Sequence, residues 1–338
     1  MQNQINNSDS NSSNKISPNE QNLEKSKNKQ ILKTSYSLKK LTHSSAGTQI
    51  WEGISRHTLE PVIIKRCLKS KTLPIRRPLT KIYKTKDRVY FHYDEATILK
   101  KAHQVCPEFT LPVLEKFECS KYLIFVQPKF GVSLYNFMIE RKQSLNIEEA
   151  TIIFTQVIQA LSILQGNNNY YQSNSEIYHL DVKEENILID PETLQIKLID
   201  FGCSSIGPLS PEMSRMIGSK IGSREFCAPE LYLGKSQEST IAKHDVWSLA
   251  MTIVSAMTGK TLYSQIQRDH PNFSFSSSSG KNSVDSLDSA GSKDQDLINL
   301  SEKIYGPKFL AMLKKMLVYE PEKRISMDGL VDILRELI

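Results

Sequence analysis

The residues best suited to chemistry stand close together in the chain. They are Asp181, Lys183 and Asn186 in Tyr178-His179-Leu180-Asp181-Val182-Lys183-Glu184-Glu185-Asn186, and Asp200 in Ile196-Lys197-Leu198-Ile199-Asp200-Phe201-Gly202. Between them run Ile187-Leu188-Ile189 and a turn at Asp190-Pro191-Glu192. Two short apolar runs joined by a Pro-containing turn predict a hairpin. A hairpin returns the chain to its start, which sets Asp200 beside the loop of Asp181 and Asn186. Two carboxylates and an amide converging there supply hard oxygen ligands. Mg2+ favours such ligands when phosphate oxygens complete its shell. The bland alternative is a chance hairpin with surface acids.

These residues need elements to position them. Val62-Ile63-Ile64 and Tyr122-Leu123-Ile124-Phe125-Val126 are short, rich in β-formers and bounded by charged or turn residues, so they read as strands. From about 147 onward helical spacing takes over. Ile152, Ile153, Val157, Ile158, Leu161 and Leu164 are expected on one helix face, and Leu310, Leu313, Met316 and Leu317 repeat the pattern. A strand-rich first part and a helix-rich second part predict an α+β chain of two lobes with a hinge near 126–131. The expected N-lobe spans about 35–126 and the C-lobe about 131–338. Residues 1–34 are dominated by Asn, Ser, Gln and Lys and read as a disordered tail. A Ser-rich stretch at 272–296 reads as an insertion within the domain.

Composition narrows the setting. Hydrophobic residues make up 39% of the 338, enough for a sizeable core, and the formal charge of +6 does not single out nucleic acid as a partner. The five cysteines form no C-x-x-C pair, which argues for reduced thiols and against a disulfide framework or a zinc site. The polar start lacks the apolar core of a secretory signal. No uninterrupted apolar run approaches the ~20 residues that span a bilayer. The expectation is a chain without a membrane partner, in the cytoplasm, the nucleus or both.

The segment 178–202 resembles the catalytic loop and the Asp-Phe-Gly metal loop of eukaryotic-type protein kinases. The resemblance implies that Asp181 orients or accepts the substrate hydroxyl proton, and that Asn186 and Asp200 hold Mg2+ against ATP. Lys183 stands where the Ser/Thr branch keeps a lysine that contacts the transferred phosphate. Further matches follow in the family's order. Val62-Ile63-Ile64-Lys65 is similar to the strand whose lysine pairs the phosphates, and Glu95 stands at the place of that lysine's ion-pair partner. Gly47, Val126 and Leu188 fall at nucleotide-binding positions. Ala228-Pro229-Glu230, Ser223, Asp245-Val246-Trp247 and Arg324 match the family's structural supports. The likeness covers roughly 36–338 apart from the Ser-rich insertion. It implies transfer of the ATP γ-phosphate to Ser or Thr hydroxyls of protein substrates.

Several positions depart from the pattern. The Gly-rich loop keeps one glycine, Gly47, in Ser44-Ser45-Ala46-Gly47-Thr48, so weaker ATP binding is expected. Ile63 replaces a small residue over the adenine. Pro128 falls at a hinge position whose N–H commonly donates to adenine, which costs about 1 kcal/mol. This hinge and loop are locally similar to Pim-type kinases. Leu180 replaces the arginine that usually binds a phosphate on the activation segment, so ordering by phosphorylation there is not expected. The stretch 66–88 holds many Lys and Arg and one acid, Asp87. It reads either as a docking surface for an acidic partner or as a solvated insertion. The other functional readings are a pseudokinase scaffold with weakened ATP binding and a small-molecule phosphotransferase of related fold.

Overall fold

The β-branched run at 62–64 lies mid-sheet, where branched side chains pack well. The computed structural model describes residues 34–45, 47–68, 81–84, 89–92, 94–118, 121–166, 175–207, 225–232, 238–259 and 306–337. Its first half contains strands β1 (Tyr36–Ser44), β2 (Thr48–Ser55), β3 (Pro61–Leu68), β4 (Lys81–Lys84), β5 (Val89–His92), β6 (Glu115–Glu118) and β7 (Tyr122–Pro128), with helix α1 (Glu95–Val105) before β6. Five of these strands form one antiparallel sheet in the order β1-β2-β3-β7-β6, while β4 and β5 pair as a separate hairpin. Val62 and Ile64 bury one sheet face with Tyr36, Phe117 and Val126. Phe125 turns to the other face and joins Ala96, Ile98, Leu99 and Ala102 of α1 in the main core. Ile63 and Lys65 alternate with Val62 and Ile64 and so share the α1 side of β3.

The second half is helical: α2 (Leu134–Arg141), α3 (Ile147–Gln165), α4 (Pro229–Tyr232), α5 (Ala242–Thr258), α6 (306–316) and α7 (Met327–Leu337). The whole is an α+β bilobal arrangement. Helix α3 starts at a capping box, in which the Asn146 side chain accepts from Glu149 N–H and the Glu149 carboxylate accepts from Asn146 N–H. It ends at Gly166, whose φ of 72° is the left-handed conformation that glycine tolerates. Ile153, Val157, Ile158, Leu161 and Leu164 are fully buried, but Ile152 is 48% exposed and lies off the stripe expected for it. Helix α3 has the length and mean hydropathy to cross a membrane, which corrects the expectation that nothing in the chain approaches that length. Here half of the helix is buried as the core of the second lobe.

Short strands complete the connection between lobes. β8 (Val132–Ser133), β10 (Ile187–Ile189) and β11 (Ile196–Leu198) form a three-stranded sheet, and β9 (Ile177–Tyr178) pairs with β12 (Ser205–Ile206). Gly131 precedes β8 with φ of 35°, and a Cβ there would lie 2.1 Å from the Ile189 carbonyl oxygen. Only glycine lets the chain enter the second lobe so close to β10. The expected tail, the Ser-rich insertion, Ser223, and most of the basic stretch 66–88 lie outside the described residues. What is described of the basic stretch is 66–68, at the end of β3, and β4, which pairs with β5; the β5 backbone runs beside β12.

The capping box should matter to folding because it satisfies two N–H groups at the start of the central helix. Asn146→Ala is expected to lower unfolding free energy by about 1 kcal/mol. A urea midpoint identical to wild type would contradict it.

Candidate active site

The hairpin forms as its sequence requires. β10 and β11 pair antiparallel with Ile187 opposite Leu198, and Ile199 N–H donates to the Asn186 carbonyl at 3.0 Å. The turn is closed by Asp190, whose Oδ1 accepts from Glu192 N–H at 2.9 Å and Thr193 N–H at 3.3 Å. The next residues on each strand are then neighbours, which brings Asp200 beside the loop 181–186. In that loop Asn186 Nδ2 donates to the Asp181 carbonyl (2.8 Å) and to Asp181 Oδ2 (3.0 Å). Lys183 Nζ donates to the same Oδ2 at 2.7 Å. Asp181 is thus held by two side chains in a mostly buried position.

Helix α5 holds the loop backbone from beneath. The fully buried Asp245 accepts from His179 N–H (2.9 Å), Leu180 N–H (2.7 Å) and Gln165 Nε2 (3.1 Å). Those bonds keep Leu180 at φ of 63°, a left-handed conformation that costs a leucine about 1–2 kcal/mol. Two turns along α5, the Thr252 hydroxyl is shared between the Ser248 carbonyl (2.7 Å) and the Val182 carbonyl (3.2 Å). His179 Nε2 lies 3.0 Å from the Ile199 carbonyl, so that nitrogen carries the proton and donates. Its ring packs 4.8 Å from that of Phe201, which is fully buried.

Across the cleft, Lys65 Nζ donates to Glu95 Oε1 and to Asp200 Oδ1, each at 2.7 Å. Burial alone would lower the Lys65 pKa, but Asp200 and Glu95 outweigh it and hold the ammonium charged well beyond neutral pH. Partial burial also works against the Asp200 charge; Lys65 beside it wins and keeps this carboxyl well below the usual carboxylate range. Burial pushes Glu95 up to about 7 against the pull of Lys65. Asp200 stands at φ of 60° and its Oδ1 also accepts from Gly202 N–H at 3.4 Å.

Other expected nucleotide residues divide. Leu188 is partly exposed on the β10 face opposite the buried Ile187 and Ile189, as a cleft residue would be. Val126 does not reach the cleft. It lies opposite Ile64 and is fully buried with Val62 and Phe117 on the far sheet face. The strand-mate on the cleft face is Gln127, opposite Ile63, whose Nε2 donates to the Leu111 carbonyl at 3.4 Å. Side-chain parity alone could have separated 126 from 127, had the partner of Lys65 been known. Gly47 is buried at the β1–β2 turn, and its carbonyl accepts from Leu68 N–H at 2.7 Å. Pro128 belongs to the sheet, opposite Val62, and not to the connector. The next N–H, of Lys129, donates to the Pro61 carbonyl at 3.0 Å. Among the described residues, the first connector N–H without a backbone acceptor is that of Phe130.

Beyond the loop, Arg324 is buried and forms a bidentate pair with Glu230 (Nη1–Oε1 2.7 Å, Nη2–Oε2 3.0 Å), while His244 Nδ1 meets Glu230 Oε1 at 2.8 Å. The guanidinium also lies 4.9 Å from the Trp247 ring centre. This network ties α4 to α5 and to the segment before α7.

The arrangement sets a charged lysine across from two carboxylates and an amide. Residues 46–333 match the protein kinase domain, and the chain belongs to that family. Among its relatives are a probable serine/threonine-protein kinase KIN1 homolog of Enterocytozoon bieneusi, 33% identical over 46% of this chain and 24% of that protein. Calcium-dependent protein kinase 4 of Plasmodium falciparum is 30% identical over 64% of this chain and 36% of its own length. The mouse PAS domain-containing serine/threonine-protein kinase is 25% identical over 66% of this chain and 15% of its own. The chain therefore spans only about a third or less of these relatives.

Burial would raise the Glu230 carboxyl, but hydrogen bonds and charge from His244 and Arg324 hold it at about 2. A carboxyl lowered on folding adds stability above its unfolded pKa and loses it as pH falls towards the folded value. That contribution, roughly 3 kcal/mol at neutral pH, should disappear between about pH 4.5 and pH 2. Glu230→Gln is expected to flatten acid unfolding in that window, followed by circular dichroism. An unchanged pH profile would show that the pair does not carry the dependence.

Proposed function

We propose that this chain transfers the γ-phosphate of ATP to Ser or Thr hydroxyls of protein substrates, with Asp181 as the base. One observation carries the reading: Lys65 is paired with both Glu95 and Asp200 while Asp181 is held by Asn186 and Lys183 on the other side of the cleft. Asp181 would orient the acceptor hydroxyl and take its proton as the oxygen attacks phosphorus. Lys183, 2.7 Å from Asp181, would neutralise charge on the transferred group, and Lys65 would hold the α- and β-phosphates. The adenine would lie between Ile63 and Leu188, taking a hydrogen bond from Phe130 N–H.

Asp200 and Asn186 fit a magnesium ion. The Asp200 side chain is 43% exposed beside Lys65, and Asn186 spends its Nδ2 hydrogens on Asp181, which leaves its amide oxygen as a ligand. Magnesium takes much of its shell from phosphate oxygens and water, so one or two protein ligands suffice. When bound, magnesium would offset the charge of the phosphate oxygens.

The scaffold alternative rests on the β1–β2 turn, where one glycine remains and its carbonyl is engaged by β3. A titration of ATP with and without Mg2+ separates the readings, because a scaffold has no need of metal-coupled affinity. Basic residues at 66–88 fit an acidic docking partner as a further part of this proposal.

The main test is a peptide-array assay with Mg-ATP. Asp181→Asn and Asp200→Ala are each expected to reduce transfer by on the order of 100-fold or more. Equal turnover in wild type and both variants would overturn the assignment. Leu180 is packed with Tyr178, Ala228, Leu231 and Ile241, an apolar contact at the position where the family's arginine would bind phosphate. Phosphatase treatment is expected to leave most activity intact. Loss of most turnover would refute that.

A further inference from the structure

Glu95 occupies the first turn of α1, so the position of this helix end decides whether it reaches Lys65. Lys65 does not secure that contact by itself. Asp200 already compensates its charge at 2.7 Å, and Lys65 would keep a partner if α1 swung outward. Apolar packing of Ala96, Ile98 and Leu99 holds the helix on the sheet, and a further polar contact fixes its end.

Asp94, the residue before Glu95, is the N-cap of α1. Its Oδ1 accepts from Thr97 N–H at 3.1 Å and its Oδ2 from Thr97 Oγ1 at 2.7 Å. The same Oδ2 accepts from Lys116 Nζ at 2.9 Å. Lys116 lies on β6 opposite Phe125 of β7, and Phe125 lies opposite Lys65 of β3. Residues directly opposite in neighbouring strands share one face of the sheet. Two lysines thus rise from a single row of the sheet, on either side of the fully buried Phe125. They meet two consecutive acids at the start of one helix. The Asp94 side chain is 9% exposed and that of Lys116 23%, so the contact is better shielded than an ordinary surface pair.

We propose that Asp94–Lys116 is a positioning pair which, with Lys65–Glu95, clamps the first turn of α1 to the sheet and so sets the nucleotide site. Apolar packing of Ala96, Ile98 and Leu99 seats the helix on the sheet, but a single ion pair leaves its first turn room to shift about the contact. A second pair one residue away, anchored on the next strand but one, removes that freedom. Neither Asp94 nor Lys116 touches the reacting groups. The inference rests on the kinase reading for its effect on turnover, but its geometry stands apart from it.

Two variants break the pair and spare the fold. Asp94→Asn keeps a good N-cap while losing the charge, and Lys116→Met keeps the packed stem while losing the ammonium. Each is expected to raise the KM for ATP about 3- to 10-fold. The double variant should be no worse than the stronger single one, because both remove the same contact. Melting temperatures should fall by no more than about 4 °C. Unchanged ATP KM in both single variants would overturn the proposal, as would effects that multiply in the double variant. Activity lost in step with melting temperature at constant ATP KM would also overturn it, since that is the mark of a merely structural role. If the wild type transfers phosphate to no peptide, the kinase reading fails. Calorimetric titration of Mg-ATP then tests the clamp alone: equal affinity in wild type and variants overturns it, and the same 3- to 10-fold weakening, about that of the KM effect, supports it.

Discussion

A lysine ammonium buried in the cleft is the constraint around which the two lobes are arranged. Desolvating such a charge costs several kcal/mol unless oppositely charged groups replace the lost water. Lys65 finds two, Glu95 and Asp200, and they come from parts of the chain far apart in sequence. Glu95 arrives on α1, packed on the sheet through Ala96, Ile98 and Leu99. Asp200 arrives at the end of β11, after the hairpin has turned the chain back on the loop of Asp181. Joining all three therefore requires the sheet, the helix and the hairpin to be formed and docked together. The site is a report on the docking of the lobes.

The opposite wall of the cleft depends on a different device. The loop of Asp181 has little regular structure, and its backbone groups must find partners outside itself. Helix α5 supplies them from one side: Asp245 takes the N–H groups of His179 and Leu180, and Thr252 reaches the Val182 carbonyl. These residues are seven apart, two turns of a helix, so they face the same way. A rigid, almost wholly buried helix thereby imposes its straightness on an irregular loop. The left-handed backbone of Leu180 is stable only because Asp245 fixes its N–H.

Much of this was legible in the order of residues. The hairpin followed from two apolar runs around Asp190-Pro191, and the helical period of α3 from its buried side chains. The meeting of Lys65 with Glu95 could be expected only from resemblance, because nothing local links a strand residue to one beyond a long basic stretch. Val126 shows where local reading stops. An apolar strand residue beside a hinge suits either sheet face, and only the pairing of Ile64 with Val126 decides which one it takes. Ile152 failed for a related reason: a stripe of isoleucines is wider than the face a helix buries. The clamp of Asp94 and Lys116 could not be foreseen, since the register that aligns Lys116, Phe125 and Lys65 is a property of three paired strands.

The departures from the family pattern point in one direction. An arginine that binds phosphate makes the order of a segment depend on a modification, whereas a leucine packed among apolar side chains makes it depend on burial alone. Leu180, packed with Ala228, Leu231 and Ile241, offers the second kind of contact to the residues it touches. At the other lobe, Asp94 and Lys116 would do the same for α1, replacing an external signal by a contact internal to the sheet. Apolar packing and shielded ion pairs respond weakly to salt and not at all to a kinase or phosphatase acting on the segment. Contacts of this kind form as the chain folds.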